Sequence, residues 1–439
     1  MILGDNPNAP QNTGSRATLD DLFRRTATRR PDALALIDPP DRQAVTGDPP
    51  RRLTYAQADR MVSAIAGRLR RLDLQTDAVI GIQLPNVVES VLTLLAVLRA
   101  GMIAAPLPLL WRRAECAAAL ARLGAKALIC CGRVGAADHG ELARHVAAGT
   151  FAIRHVGGFG KNLPDGVIPF DDLYDVDTPE LLSATERGGN PAAHVAVVTW
   201  DVSSDAAGGG LVPVGRSHAE LLAGGMACVL ESRSVPEGVI LSCVPAHSFA
   251  GLSLTLSQWL FTGGTLALHH AFDPDVFAAQ CAEHDCDLAV LPGPMLAPLG
   301  EVGLLDPFEN LKAVQAVWRA PERLAGSGAW HNPQTPVVDI LVFGETGLIP
   351  ARRDLDGKPA AIPLGIVTAP RGTTGGIPVA EIKRGDAGTI LMRGGMVPHH
   401  PYPLHAERGA WEREYRPLPS SSSPISRMLK KGLPLGPLA

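Results

Sequence analysis

Val79–Leu107, VIGIQLPNVVESVLTLLAVLRAGMIAAPL, decides the fold. Val79–Leu84 is an apolar run of strand length, and Pro85-Asn86 leads into Val87–Ala100, which stays apolar for longer than a strand and reads as a helix. Gly101–Leu107 returns to a strand-like run with Pro106 near its end. Strand, helix, strand in this order implies two parallel strands joined by a crossover helix. The alternation continues on both sides. Ala33–Ile37 reads as a strand, Asp41–Arg52 as a polar loop, and Leu53–Leu72 as a short strand leading into an amphipathic helix with Met61, Ile65, Leu69 and Leu72 on one face. Arg113–Leu123 is a third helix, followed by the strand Ala127–Cys131. Thr18 is the expected N-cap of a helix opening at Leu19. Residues 1–16 read as disordered.

A chain of 439 residues, 46% hydrophobic, is long enough for two or three domains with a large core. A formal charge of −4 gives no electrostatic case for nucleic acid or an anionic membrane. No apolar run reaches membrane-spanning length, and the polar N-terminus lacks the build of a signal peptide, so the expected location is cytoplasmic. Seven cysteines are scattered; Cys281, His284 and Cys286 lack the paired spacing of a zinc site. The expectation is reduced thiols and no metal site. His269-His270 and His399-His400 are adjacent pairs, which face opposite ways on a strand and read as core or solvated histidines. No Gly-x-Ser-x-Gly is present to support a serine hydrolase.

Val195–Leu222 bears most directly on chemistry. Val195–Thr199 reads as a buried strand, Ser203, Ser204, Gly208, Gly209 and Gly210 as a small-residue loop, and Ala219 onward as a helix. Strand, glycine-rich loop and helix N-terminus together cradle phosphate through backbone N–H groups. The lysine that such loops add is missing: no Lys occurs between Lys161 and Lys312, and Arg216 is the one nearby cation.

Several segments in order resemble the adenylate-forming enzymes, the acyl- and aryl-CoA synthetases, luciferases and peptide-synthetase adenylation domains. They are Leu53–Leu72 with Val79–Leu107, Val244–Phe277, DILVFGETGL at Asp339–Leu348, and GDAGTILMRGGMVPHHPYP at Gly385–Pro403. The resemblance implies a two-step reaction, in which a carboxylate attacks ATP to give acyl-AMP and a thiol then takes the acyl group. It implies ATP and Mg²⁺ as cofactors and a small carboxylic acid as ligand. On it, His247 falls at a gate near the acid, with Phe249, Ala250, Leu252 and Phe343 suggesting an apolar guest, and Gly344 and Thr346 near phosphate. The chain departs from the pattern at each point that handles charge. The phosphate-loop lysine position holds Val214 or, on a shifted alignment, Val212. The magnesium-directed acid position holds Gly347, with Glu345 two residues away as a partial substitute if the loop is extended. The small adenine-contacting segment reads Ala316-Val317-Trp318-Arg319-Ala320-Pro321, where Trp318 and Arg319 either occlude the pocket or stack on a base. Trp411–Pro417 lacks the ribose-binding Asp, and Lys430 and Lys431 sit in no matching context for a C-terminal lid. Arg371–Pro378 imitates a phosphate loop but reads as a β-turn.

The expected architecture is α/β: two packed subdomains with largely parallel sheets (17–190 and 191–340), a small β-rich subdomain (341–415) and a flexible tail (416–439). Two functions follow. One is a degenerate synthetase domain that binds a carboxylate or serves as a protein partner. The other is an active AMP-forming ligase in which Arg216, Arg319 and Glu345 substitute for the usual groups, Thr346 is kept near phosphate, and another chain supplies the lid.

Overall fold

The computed structural model describes residues 16–175, 188–203, 210–330, 332, 334–361, 364–385, 390–402 and 416–417. The expected disorder at 1–15, the loop residues Ser204, Gly208 and Gly209, and Lys430 and Lys431 lie outside the described residues.

Two eight-stranded sheets and one four-stranded sheet build the molecule. The first sheet runs in the order 400–401, 210–217, 195–203, 103–106, 79–83, 127–131, 155–159, 167–169. Val79–Gln83 pairs in parallel with Ile103–Pro106 on one side and Ala127–Cys131 on the other. The helix between the first two, Val88–Arg99, is the crossover. The second sheet runs 347–352, 337–343, 313–318, 288–292, 239–242, 265–268, 34–37, 52–54, parallel except at its two outer pairings. Its strands are apolar without alternation because both faces are covered. The small sheet, 365–369, 377–384, 390–393 and 416–417, is antiparallel. The turn between its first two strands is the segment that imitates a phosphate loop.

Strands are traded across the expected boundary near residue 190. Leu34–Ile37 pairs with Thr265–Leu268 in the second sheet, and the hairpin 195–217 joins the first sheet through Val197 and Ala104. Apolar pattern identifies a strand; it does not name the strand's neighbour.

Val88–Arg99 is buried nearly all round, including Glu89 and Arg99. Buried charges persist where they are paired. Glu89 accepts from Arg42 Nη2 at 2.7 Å and from Arg51, and Arg99 pairs with Asp20 at 2.7 Å. Arg42 comes from a short helix, Arg42–Thr46, within the segment expected to be a polar loop. That expectation fails because Arg42 is a buried cation held between Asp38 and Glu89. Thr18 caps Leu19–Arg29 as expected, accepting from Asp21 N–H. Asn86 ties the two large sheets together by donating to the carbonyls of Ser242 (3.0 Å) and His269 (2.9 Å).

Candidate active site

Val195–Ser203 and Gly210–Ser217 form an antiparallel hairpin closed by the Ser203–Gly210 pair. The segment Pro213–Ser217 is therefore strand, and the expected loop-to-helix junction is corrected. The helix His218–Ser232 starts a full strand beyond the glycines, roughly 25 Å along at the usual rise per residue. Its N-terminus cannot serve the loop, since the dipole's effect is confined to the first turn. It is capped instead by a reciprocal box between Ser217 and Glu220. The Ser-x-x-Glu spacing was available in the sequence as the signal for that start.

Alternation along the strand puts Val214 and Arg216 on one face. Val214, at the expected lysine position, is buried; Arg216 is fully buried. The Arg216 guanidinium donates to the carbonyls of Glu345 and Met396 and lies 3.9 Å from the centroid of the Phe249 ring. Burial lowers its pKa, opposed by the carboxylates of Glu220, Glu345 and Asp201. An arginine in this setting stays charged. Arg319 is placed in the same field, facing Glu345 and Asp201. The structure thus brings Arg216, Arg319 and Glu345 together.

Phe343–Gly347 is a tight turn joining two antiparallel strands, with Thr346 N–H donating to the Phe343 carbonyl at 3.0 Å and Gly344 at φ +54°. The extended loop assumed for Glu345 is corrected. Its carboxylate turns inward and accepts from Phe249 N–H at 2.9 Å. Burial pushes this carboxyl up to about 7, against the pull of Arg216. Gly347 has no room for an acid without rearrangement: a Cβ there would lie 2.9 Å from Met392 Sδ. Trp318 is buried in the second sheet. It packs over Gly293, where an added Cβ would meet its ring at 2.4 Å, and its indole N–H donates to Asp339 Oδ1 at 2.8 Å.

The acid-pocket residues behave as core. Phe249, Ala250 and Leu252 are buried, and Phe249 is covered by Arg216. His247 lines a crevice of about 20 Å³ with Pro85, Leu107 and Ala246. That is room for about one water. Sequence reading missed Met396, Asp201 and Glu220. Glu220 also receives His399 N–H at 3.0 Å, docking the 394–400 segment beside Arg216. His269 and His270 are core, the former bonded to Gln280 at 2.7 Å. All seven cysteines are buried free thiols. Among the described residues no group of three or more His, Cys, Asp or Glu is arranged to hold a metal. Among the described residues, those at the expected cation and acid positions do not fit a nucleoside triphosphate with magnesium. The cation position is a buried valine, the acid position a glycine close to Met392 Sδ, and Arg216 and Glu345 are engaged with protein.

Residues 23–166 match the family model described as AMP-binding enzyme. The long-chain fatty acid transport protein 1 of Bos taurus is 27% identical over 280 residues, covering 62% of this chain and 40% of that protein. The salicyl-AMP ligase / salicyl-S-ArCP synthetase of Mycobacterium tuberculosis is 32% identical over 142 residues, covering 32% of this chain and 24% of that protein. The chain thus spans 40% or less of these relatives' length. Among solved structures, the N-terminal domain of FACL13 from Mycobacterium tuberculosis superposes with TM-score 0.68 at 16% identity, covering 91% of this chain and 95% of that one. The anthranilate CoA ligase AuaEII in complex with anthranoyl-AMP gives 0.70 at 14% identity, with 93% and 76% coverage. ATP-bound MatB from Rhodopseudomonas palustris gives 0.64 at 20% identity, with 88% and 72% coverage. Residues 23–166 thus carry an AMP-binding family domain, and the chain has the fold of an acyl- or aryl-CoA ligase N-terminal domain. Structures of that fold include ATP-bound ones. No helix among the described residues is long and apolar enough to cross a membrane.

Proposed function

We propose that this is a catalytically degenerate adenylate-forming domain that acts as a protein partner in a biosynthetic pathway and does not itself activate a carboxylate. The observation that carries this reading is the Arg216 guanidinium, spent on the Glu345 and Met396 carbonyls and the Phe249 ring. A cation that must stabilise developing charge has to be aimed at the reacting group, not consumed by the fold. The small crevice at His247 favours a partner role over retention of a small acid. If an acid does bind, the names of the relatives, which mention fatty acids and salicylate, point to one with an apolar body.

The test is calorimetric titration with ATP, AMP and Mg²⁺, followed by pyrophosphate exchange across aliphatic and aromatic acids. The expected result is no acid-dependent exchange; exchange with any acid by purified protein sinks the proposal. A second reading, an active ligase, is favoured by one feature: Arg216, Arg319 and Glu345 do converge. On that reading Arg216→Ala and Glu345→Ala abolish exchange, and unchanged rates in both remove it.

A further inference from the structure

A cleft of about 330 Å³ opens at the opposite edge of the second sheet from Glu345. It borders Arg52–Thr54, the outermost strand there, roughly 30 Å across the sheet from the strands that flank Glu345. Arg51, Arg52 and Arg60 line it, no carboxylate is among its lining residues, and Leu53 and Met61 form an apolar floor. Arg51 is held rigid: it stacks on the Tyr174 ring at 3.6 Å and donates to Glu89 Oε1, which also receives the Tyr174 hydroxyl at 2.7 Å. Asp171 approaches its other nitrogen only to 3.9 Å. Arg52 is held by an ion pair to Glu283 at 2.8 Å, with both side chains more than half exposed, so little is lost in releasing it. Arg60, exposed on the helix Tyr55–Arg70, makes no ion pair or hydrogen bond to any described residue.

We propose that this cleft is a second, non-catalytic binding site for a small, soluble, phosphate-bearing molecule. Guanidinium forks match phosphate oxygens in pairs, and a planar arginine already ordered loses little entropy on binding. Arg60 and Arg52 take the phosphate oxygens, Arg51 supplies fixed positive charge, and the Leu53–Met61 floor receives the uncharged part of the ligand.

The test is calorimetric titration of the full chain with inorganic pyrophosphate at low ionic strength. It compares wild type, Arg60→Ala, Arg52→Ala/Arg60→Ala, and Arg216→Met as a control for the other cleft. Binding by wild type, weakened at least tenfold in the double variant and unchanged in Arg216→Met, is the expected result. The single Arg60→Ala, at an exposed position, carries the comparison if the double variant loses stability. Absence of binding, equal affinity in the Arg60 variants, or loss confined to Arg216→Met overturns the proposal. Sedimentation with phosphatidylcholine vesicles containing phosphatidic acid, without pyrophosphate binding, assigns the phosphate to a lipid headgroup and overturns it as well.

Discussion

Arg216 shows how one buried side chain ties distant elements together. It leaves the same strand face as Val214, two residues on, and finishes between the turn at Glu345 and the 394–400 segment. Removing one partner of a buried charge cluster is costly, because the others are left unpaired. Arg216→Met is expected to lower unfolding free energy by about 3 kcal/mol or more, read by urea denaturation. A near-neutral result would mean that the guanidinium is not needed to satisfy those carbonyls. Glu345 carries a pH signature. Its folded pKa, pushed up to about 7 by burial, lies above the usual carboxyl value, so the folded state holds the proton longer. The resulting stability is present at acid pH and is lost as pH rises through 7. Glu345→Gln should therefore gain stability on wild type between pH 5 and pH 8, followed by thermal melts. Parallel profiles would mean that Glu345 ionises freely.

At the scale of elements, the helix His218–Ser232 depends on its cap and on close approach. Ser217→Ala removes the acceptor for Glu220 N–H and should cost about 1 kcal/mol in denaturant unfolding. Gly225 faces the segment Leu252–Ser257, where a Cβ would sit 2.5 Å from Ser257 Cβ. Gly225→Ala is expected to cost about 1–3 kcal/mol by overpacking, and a neutral outcome would show that the two helices slide apart without penalty. These elements were partly legible. The apolar run of Val195–Thr199 located a strand, but the glycine-rich loop reads as leading straight to a helix, where pairing of Pro213 with Trp200 and Gly215 with Val198 makes a second strand. A proline is tolerated there because this strand lies near the sheet edge.

Across the whole molecule, the larger of two apolar clusters among the described residues runs from Leu19 through Leu95 and Leu252 to Met392 and spans both large sheets, and a smaller one around Leu120 and Leu128 covers the other face of the first sheet. Strand exchange at 34–37 and 195–217 fastens the sheets to each other. Unfolding is expected to be a single cooperative calorimetric transition, and two resolved transitions would show that the sheets hold independently. Asn86→Ala, which strands the buried carbonyls of Ser242 and His269, should lower the midpoint of that transition without splitting it.

By itself the sequence determined the class of fold and the absence of the expected charges. Local apolar runs fix strand and helix, ordered segments carry the resemblance to adenylate-forming enzymes, and Val214 and Gly347 are read directly from the chain. Only the tertiary structure decided which strands share a sheet, that Glu345 turns inward, and that Arg216 is spent on Glu345, Met396 and Phe249. The contacts of Glu345 and Arg216 join residues more than thirty positions apart, up to 180 for Arg216 and Met396, and no local pattern records them.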